Sequence, residues 1–250
     1  MTTHLSRRTV LRRAAFLTAG VAVGSQLVAA PGYAAGRNSD PDMVREAIQK
    51  AQRRNEPVLT GVPSQNGWQM EKLVDDRGNI YTRPVPGTPL DGVAVRMGDV
   101  ETVLVHLIRR FHYEIDELRR GDVVGWRSPT AVRKRLPESN QASGTAVQIR
   151  PGHYPVGTRG GFYPQQQMVI RDILAELDGV VRWGGDDHSA DESLFYINVK
   201  PGDHQLLKTA DKIRCWKDSA GQGAGTRVDV SSRVRRNAAV AMERRQSKAS

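Results

Sequence analysis

One cysteine in 250 residues, Cys215, rules out an internal disulfide framework. It lies in Lys212-Ile213-Arg214-Cys215-Trp216, which reads as a helix end, so the thiol is expected to pack rather than to act as a nucleophile. Aromatic residues are sparse at 6%, and the 27 acids are outnumbered by 37 lysines and arginines. Beyond residue 35 no apolar run approaches the roughly 20 residues that a membrane-spanning helix requires. Internal repeats are absent as well. These absences exclude a disulfide-stapled scaffold, a helical membrane bundle and a solenoid. The length suits one domain with appendages, large enough to bury a core without staples.

Segment 1–35 reads as an export signal, outside the fold. Ser6-Arg7-Arg8-Thr9-Val10-Leu11 is a twin-arginine pattern, and Arg12 and Arg13 extend its charge. A weakly apolar run from Ala14 to Ala30 follows, broken by Gly20, Gly24, Ser25 and Gln26. Gly32-Tyr33-Ala34-Ala35 then offers small residues for cleavage. The expectation is a bacterial protein exported by the twin-arginine route, extracellular or associated with the cell wall. Loss of the segment would lower the formal charge from +10 to about +6. Part of the remaining excess sits in segment 217–250, a Gly-rich linker and basic tail with Arg233, Arg235, Arg236, Arg244, Arg245 and Lys248 against Glu243. Such a tail suits an anionic wall or membrane surface, or is simply solvated; no specific nucleic acid partner is expected.

Segment 36–65 holds a helix and a connector. Ser39-Asp40-Pro41 caps the helix, which runs to about Arg54 with Met43, Val44, Ala47, Ile48 and Ala51 at helical spacing. From Glu56 to Pro89 the chain is irregular, punctuated by Gly, Pro and Asn. Val93–Arg96 reads as a strand, and Val100–Leu118 is the clearest helix, with Val100, Val103, Leu104, Leu107, Ile108, Phe111, Ile115 and Leu118 in one stripe. His106 and His112 stand six residues apart on that helix, on roughly opposite sides, and cannot share a metal. Further strands are expected at Thr145–Arg150, Gly179–Trp183 and Ser193–Val199, with helices at Pro164–Leu177 and Asp203–Trp216. Elements that cluster rather than alternate give an α+β class, a small antiparallel sheet packed against helices.

Three motifs carry chemical information in order: Ser139-Asn140-Gln141-Ala142-Ser143-Gly144-Thr145-Ala146-Val147-Gln148, then Val180-Val181-Arg182-Trp183-Gly184-Gly185, then Asp191-Glu192-Ser193-Leu194-Phe195-Tyr196-Ile197. Upstream stand Asn66-Gly67-Trp68 and Pro84-Val85-Pro86-Gly87. Together, over about residues 60–205, they resemble the zinc peptidases of peptidoglycan: D-alanyl-D-alanine carboxypeptidases and dipeptidases, and L-alanyl-D-glutamate endopeptidases. The resemblance implies a D-Ala-D-Ala carboxypeptidase-like domain over 66–216. It also implies three zinc-ligand positions, at Gln141, Gln148 and Leu194, and a general base at Asp191. An arginine upstream of the first ligand binds substrate in that family; Arg127 is the nearest match, with Arg133 and Arg135 as alternatives.

The family's chemistry needs zinc, which lowers the pKa of bound water from about 15.7 to about 7. Its ligands are thiolate, imidazole or carboxylate. Two glutamines and a leucine at the ligand positions therefore predict no zinc site there, and no other cofactor is expected. Glutamine keeps hydrogen-bonding capacity, so a cleft lined by Gln141, Gln148, Asp191, Trp183, Leu194 and Tyr196 is expected to hold wall peptide or polymer without cutting it. An extracytoplasmic protein partner is a further expectation. The alternative is an active wall hydrolase whose metal has moved to His153, His188, Asp186, Asp187 and Asp191.

Overall fold

The computed structural model describes residues 41–55, 58–219 and 221–248; the expected export signal and the capping residues Ser39 and Asp40 lie outside them. The described chain is α+β, with small antiparallel sheets and six α-helices. Helix α1 spans Pro41–Asn55. The stretch expected to be irregular contains three short strands, β1 (Leu59–Pro63), β2 (Gln69–Glu71) and β3 (Ile80–Arg83). β1 pairs with β2, and β3 with β4 (Val93–Arg96). The main sheet has order β5-β6-β8-β7, antiparallel throughout, from Val123–Val124, Ala146–Ile149, Leu194–Ile197 and Val181–Trp183. The remaining helices are α2 (Asp99–Glu114), α3 (Ser139–Ala142), α4 (Pro164–Glu176), α5 (His204–Lys217) and α6 (Arg233–Ser247). None of the described helices is long and apolar enough to cross a membrane.

Strand alternation divides the main sheet into two faces with different tasks. Val147, Ile149, Phe195, Ile197 and Trp183 join the large core shared with α2, α4 and α5. Ala146, Leu194 and Tyr196 form a separate small cluster on the other face, where Gln148 also points. Helix α2 buries the expected stripe and ends at Glu114, four residues before the expected Leu118. Its end has a local cause: the backbone N–H groups of Ile115 and Asp116 both reach Phe111 O, and Leu118 N–H donates to His112 Nδ1 at 2.9 Å. The histidine side chain thus turns the backbone away from the helix axis.

Segment 217–250 differs most from expectation. It contains α6, which packs on α4 with Ala239, Met242 and Gln246 buried. Arg235 explains the docking: it binds Asp172 through Nε at 2.7 Å and reaches Glu176 at 2.8 Å. Arg110, only 1% exposed, meets the same two carboxylates from α2 at 3.1 and 3.0 Å. His106 Nε2 lies 2.8 Å from Glu176 Oε1. Burial opposes ionisation of Glu176, but the hydrogen bond with His106, the charge of Arg110 and the hydrogen bond with Arg235 win, lowering its pKa to about 2. Cys215 also departs from expectation: on α5 its thiol is exposed rather than packed.

Candidate functional site

The segment Ser139–Thr145 is held by the Asn66-Gly67-Trp68 turn. Asn66 Nδ2 donates to Thr145 Oγ1 and Ile197 O, each at 2.8 Å, and Asn66 N–H donates to Asn140 Oδ1 at 3.1 Å. Gln65 N–H donates to Ser139 Oγ at 2.9 Å, and Ser64 Oγ to Ser143 Oγ at 2.9 Å. Trp68 closes the clasp, its indole N–H on Val199 O at 2.8 Å. Gly144 is required here. Its φ is +67°, and a Cβ would come within 2.7 Å of Arg96 N. The turn from α3 into β6 is therefore fixed on both sides, and with it the direction of Gln148.

Cross-strand register brings the motifs together. Gln148 and Leu194 are direct partners in the β6–β8 ladder, as are Ala146 and Tyr196. Asp191 lies in the turn entering β8 and is 6% exposed. Gly184 makes this turn possible, because a Cβ there would approach Asp191 O to 2.7 Å. Beside these residues opens a pocket of about 360 Å³. Gln148, Asp191 and Leu194 line its floor, and Arg127, Arg133, Leu136, Val156 and Asp187 stand around it. Six of the residues singled out in the sequence thus share one cavity: Arg127 and its alternative Arg133, Gln148, Asp191 and Leu194, and Asp187 of the alternative metal set.

Gln141, Tyr196 and Trp183, expected in the cleft, do not line it. Gln141 is fully buried and donates from Nε2 to Gly125 O at 3.0 Å and Val124 O at 3.3 Å; its Oε1 has no hydrogen-bond partner. Val124 is the ladder partner of Gln148, so Gln141 stands behind the floor rather than in it. Tyr196 is buried on the pocket side of the sheet, and its hydroxyl donates to Asp187 Oδ1 at 3.0 Å. Trp183 lies elsewhere than the cleft expected for it. It sits on the core face, edge-on to Phe162, with its indole N–H on Glu192 O at 2.8 Å. Its neighbour Arg182, paired in register with Tyr196, occupies the pocket side instead.

Arg182 was not singled out by the sequence. Buried at 5% exposure, it binds Asp187 Oδ1 through Nε at 2.9 Å and Gln246 O through Nη1 at 3.1 Å. Burial holds the Asp187 carboxyl above its ordinary value despite Arg182 and the Tyr196 hydrogen bond. Burial, together with the charge of Asp187, pushes the Tyr196 hydroxyl up. Glu192 is a second omission: its carboxylate accepts from the N–H groups of Gly160 and Gly161, each at 2.7 Å. Arg159 reaches Gly185 O at 2.6 Å and Asp187 O at 2.7 Å. These contacts tie the loop bearing Val156 to the turn bearing Asp191.

Asp191 accepts hydrogen bonds on both oxygens. Its Oδ2 accepts from Gln148 Nε2 at 2.9 Å, and its Oδ1 accepts from Ser193 N–H at 3.1 Å and from Ser193 Oγ at 2.5 Å. The Gln148 amide thus occupies one acceptor site of the oxygen that a general base would use. Zinc does not fit this donor set. The three positions offer two neutral amides, one of them turned to backbone carbonyls, and an alkyl side chain. For the alternative site, His153 and His188 are exposed, and no group of three His, Cys, Asp or Glu placed to hold a metal occurs among the described residues. No protein-family model, curated protein or solved structure matches the chain.

Proposed function

We propose that this chain is an exported, non-catalytic relative of the peptidoglycan zinc peptidases, with a D-Ala-D-Ala carboxypeptidase-like domain whose pocket holds a short wall peptide. The observation that carries the reading is the convergence of Gln148, Asp191 and Leu194 on one floor. Gln148 meets Asp191, 43 positions further on, and its ladder partner Leu194; where the resemblance implies a metal centre there is an amide–carboxylate bond. Arg127 at the wall supplies a cation for a peptide carboxylate. Leu136, Val156 and Leu194 supply apolar surface for small aliphatic side chains.

Calorimetric titration with a D-Ala-D-Ala-terminated stem peptide tests the reading. Binding in the micromolar to millimolar range is expected, weakened about tenfold or more by Arg127→Ala. The absence of heat with stem peptides ending in D-Ala or D-Glu would remove the wall peptide as ligand.

A further inference from the structure

The docked α6 has a second face that the protein interior does not use. Its inner face is spent on Arg235 with Asp172 and Glu176, on buried Ala239, Met242 and Gln246, and on Arg245 with Asp178 O. Its one acid, Glu243, pairs with Arg171 at 3.1 Å. Outward point Arg233, Arg236, Arg244 and Lys248, all exposed and none with an ion-pair partner among the described residues. Among them Val240 is 44% exposed, and Val234, 80% exposed, borders the cations on the side of Arg245. At about 100° per residue, Arg233, Asn237, Val240, Arg244 and Lys248 fall within roughly a quarter of the helix circumference, along about 22 Å.

We infer that this outward face of α6 is a docking surface for an anionic phospholipid bilayer. Guanidinium groups pair with phosphate in two places, and a row of cations without acids is attracted to a negatively charged lipid surface. Val234 and Val240 decide between occupants. A soluble polyanion would be held by the cations alone and would leave both valines in water. Lipid headgroups accept small apolar side chains at the acyl boundary while the charges stay among the phosphates. Four cations and two valines give a reversible peripheral contact. The surface lies on a different element from the pocket floor, and its test does not depend on a pocket ligand.

Co-sedimentation of the full chain with vesicles tests this. Wild type should partition onto phosphatidylglycerol-containing vesicles, far less onto pure phosphatidylcholine, and less at high salt. The variant Arg233→Gln, Arg236→Gln, Arg244→Gln, Lys248→Gln should lose about 600-fold in partitioning, about fivefold per cation. Val234→Ser with Val240→Ser should weaken binding severalfold at unchanged charge. Melting by circular dichroism monitors the fold of each variant. If the fourfold variant melts early, Arg244→Gln with Lys248→Gln alone should still cost about 25-fold. Equal partitioning of the cation variants and wild type would overturn the inference. So would serine variants that bind as tightly as wild type while soluble polyphosphate displaces both, since the face would then belong to a soluble polyanion.

Discussion

Gln148 donates its side-chain amide to Asp191 at 2.9 Å, joining β6 to the turn before β8 across the pocket floor. The bond engages the carboxylate of Asp191, and it makes the floor a structural joint. Gln148→Ala would leave a carboxylate at 6% exposure with Oδ2 unpaired. The expected cost is about 1–3 kcal/mol. Urea unfolding of the variant beside wild type checks it, with Gln148→Glu expected to cost more by opposing two carboxylates.

Arg182 stands between Asp187 at the pocket and the last turn of α6, so its loss should be felt at both. Arg182→Met keeps much of the volume but leaves Asp187 buried without its cation. A destabilisation of about 3 kcal/mol is expected. Proteolysis in the native state should then reach α6 before the sheet, which mass mapping of the first fragments would show.

The carboxylate of Glu176 sets an acid limit on the docking of α6. Its folded pKa is lowered to about 2 from an ordinary 4.5, so its contribution is present above about pH 4.5 and is lost as pH falls toward 2. On the order of 3 kcal/mol is at stake. Melting temperatures measured across pH 5 to pH 2 should fall steeply in wild type and more gently in Glu176→Gln.

Cys215 is exposed on α5 although its sequence neighbourhood reads as packed. A thiol reagent should therefore label one site per chain in the native protein, at nearly the rate seen after unfolding. Protection of the thiol in the native state would contradict the placement of α5.

Much of the fold was legible because apolar spacing records burial directly. Val100 to Phe111 and Pro164 to Glu176 were readable as helices, and β6 as a strand, for that reason. The end of α2 was not, since it depends on His112 capturing a backbone N–H six residues on. Nor was α6: its arginines resemble a solvated tail until Asp172 and Glu176 are placed beside Arg235. At the site, alternation shows that Arg182 and Trp183 face opposite ways. Only the register Arg182 to Tyr196 says which faces the pocket. The pairing of Gln148 with Leu194 was not readable locally, because nothing in either strand specifies their register.

The most direct test of the central claim, a pocket that keeps the peptidase frame without its catalysis, is turnover by the wild-type chain. Purified protein is incubated with zinc and with peptides containing D-Ala-D-Ala or L-Ala-D-Glu bonds, and products are followed by chromatography. No release above the protein-free control is expected, with or without zinc, because both oxygens of Asp191 are engaged and the ligand positions hold Gln141, Gln148 and Leu194. Release that requires zinc and stops on adding a chelator would contradict the account.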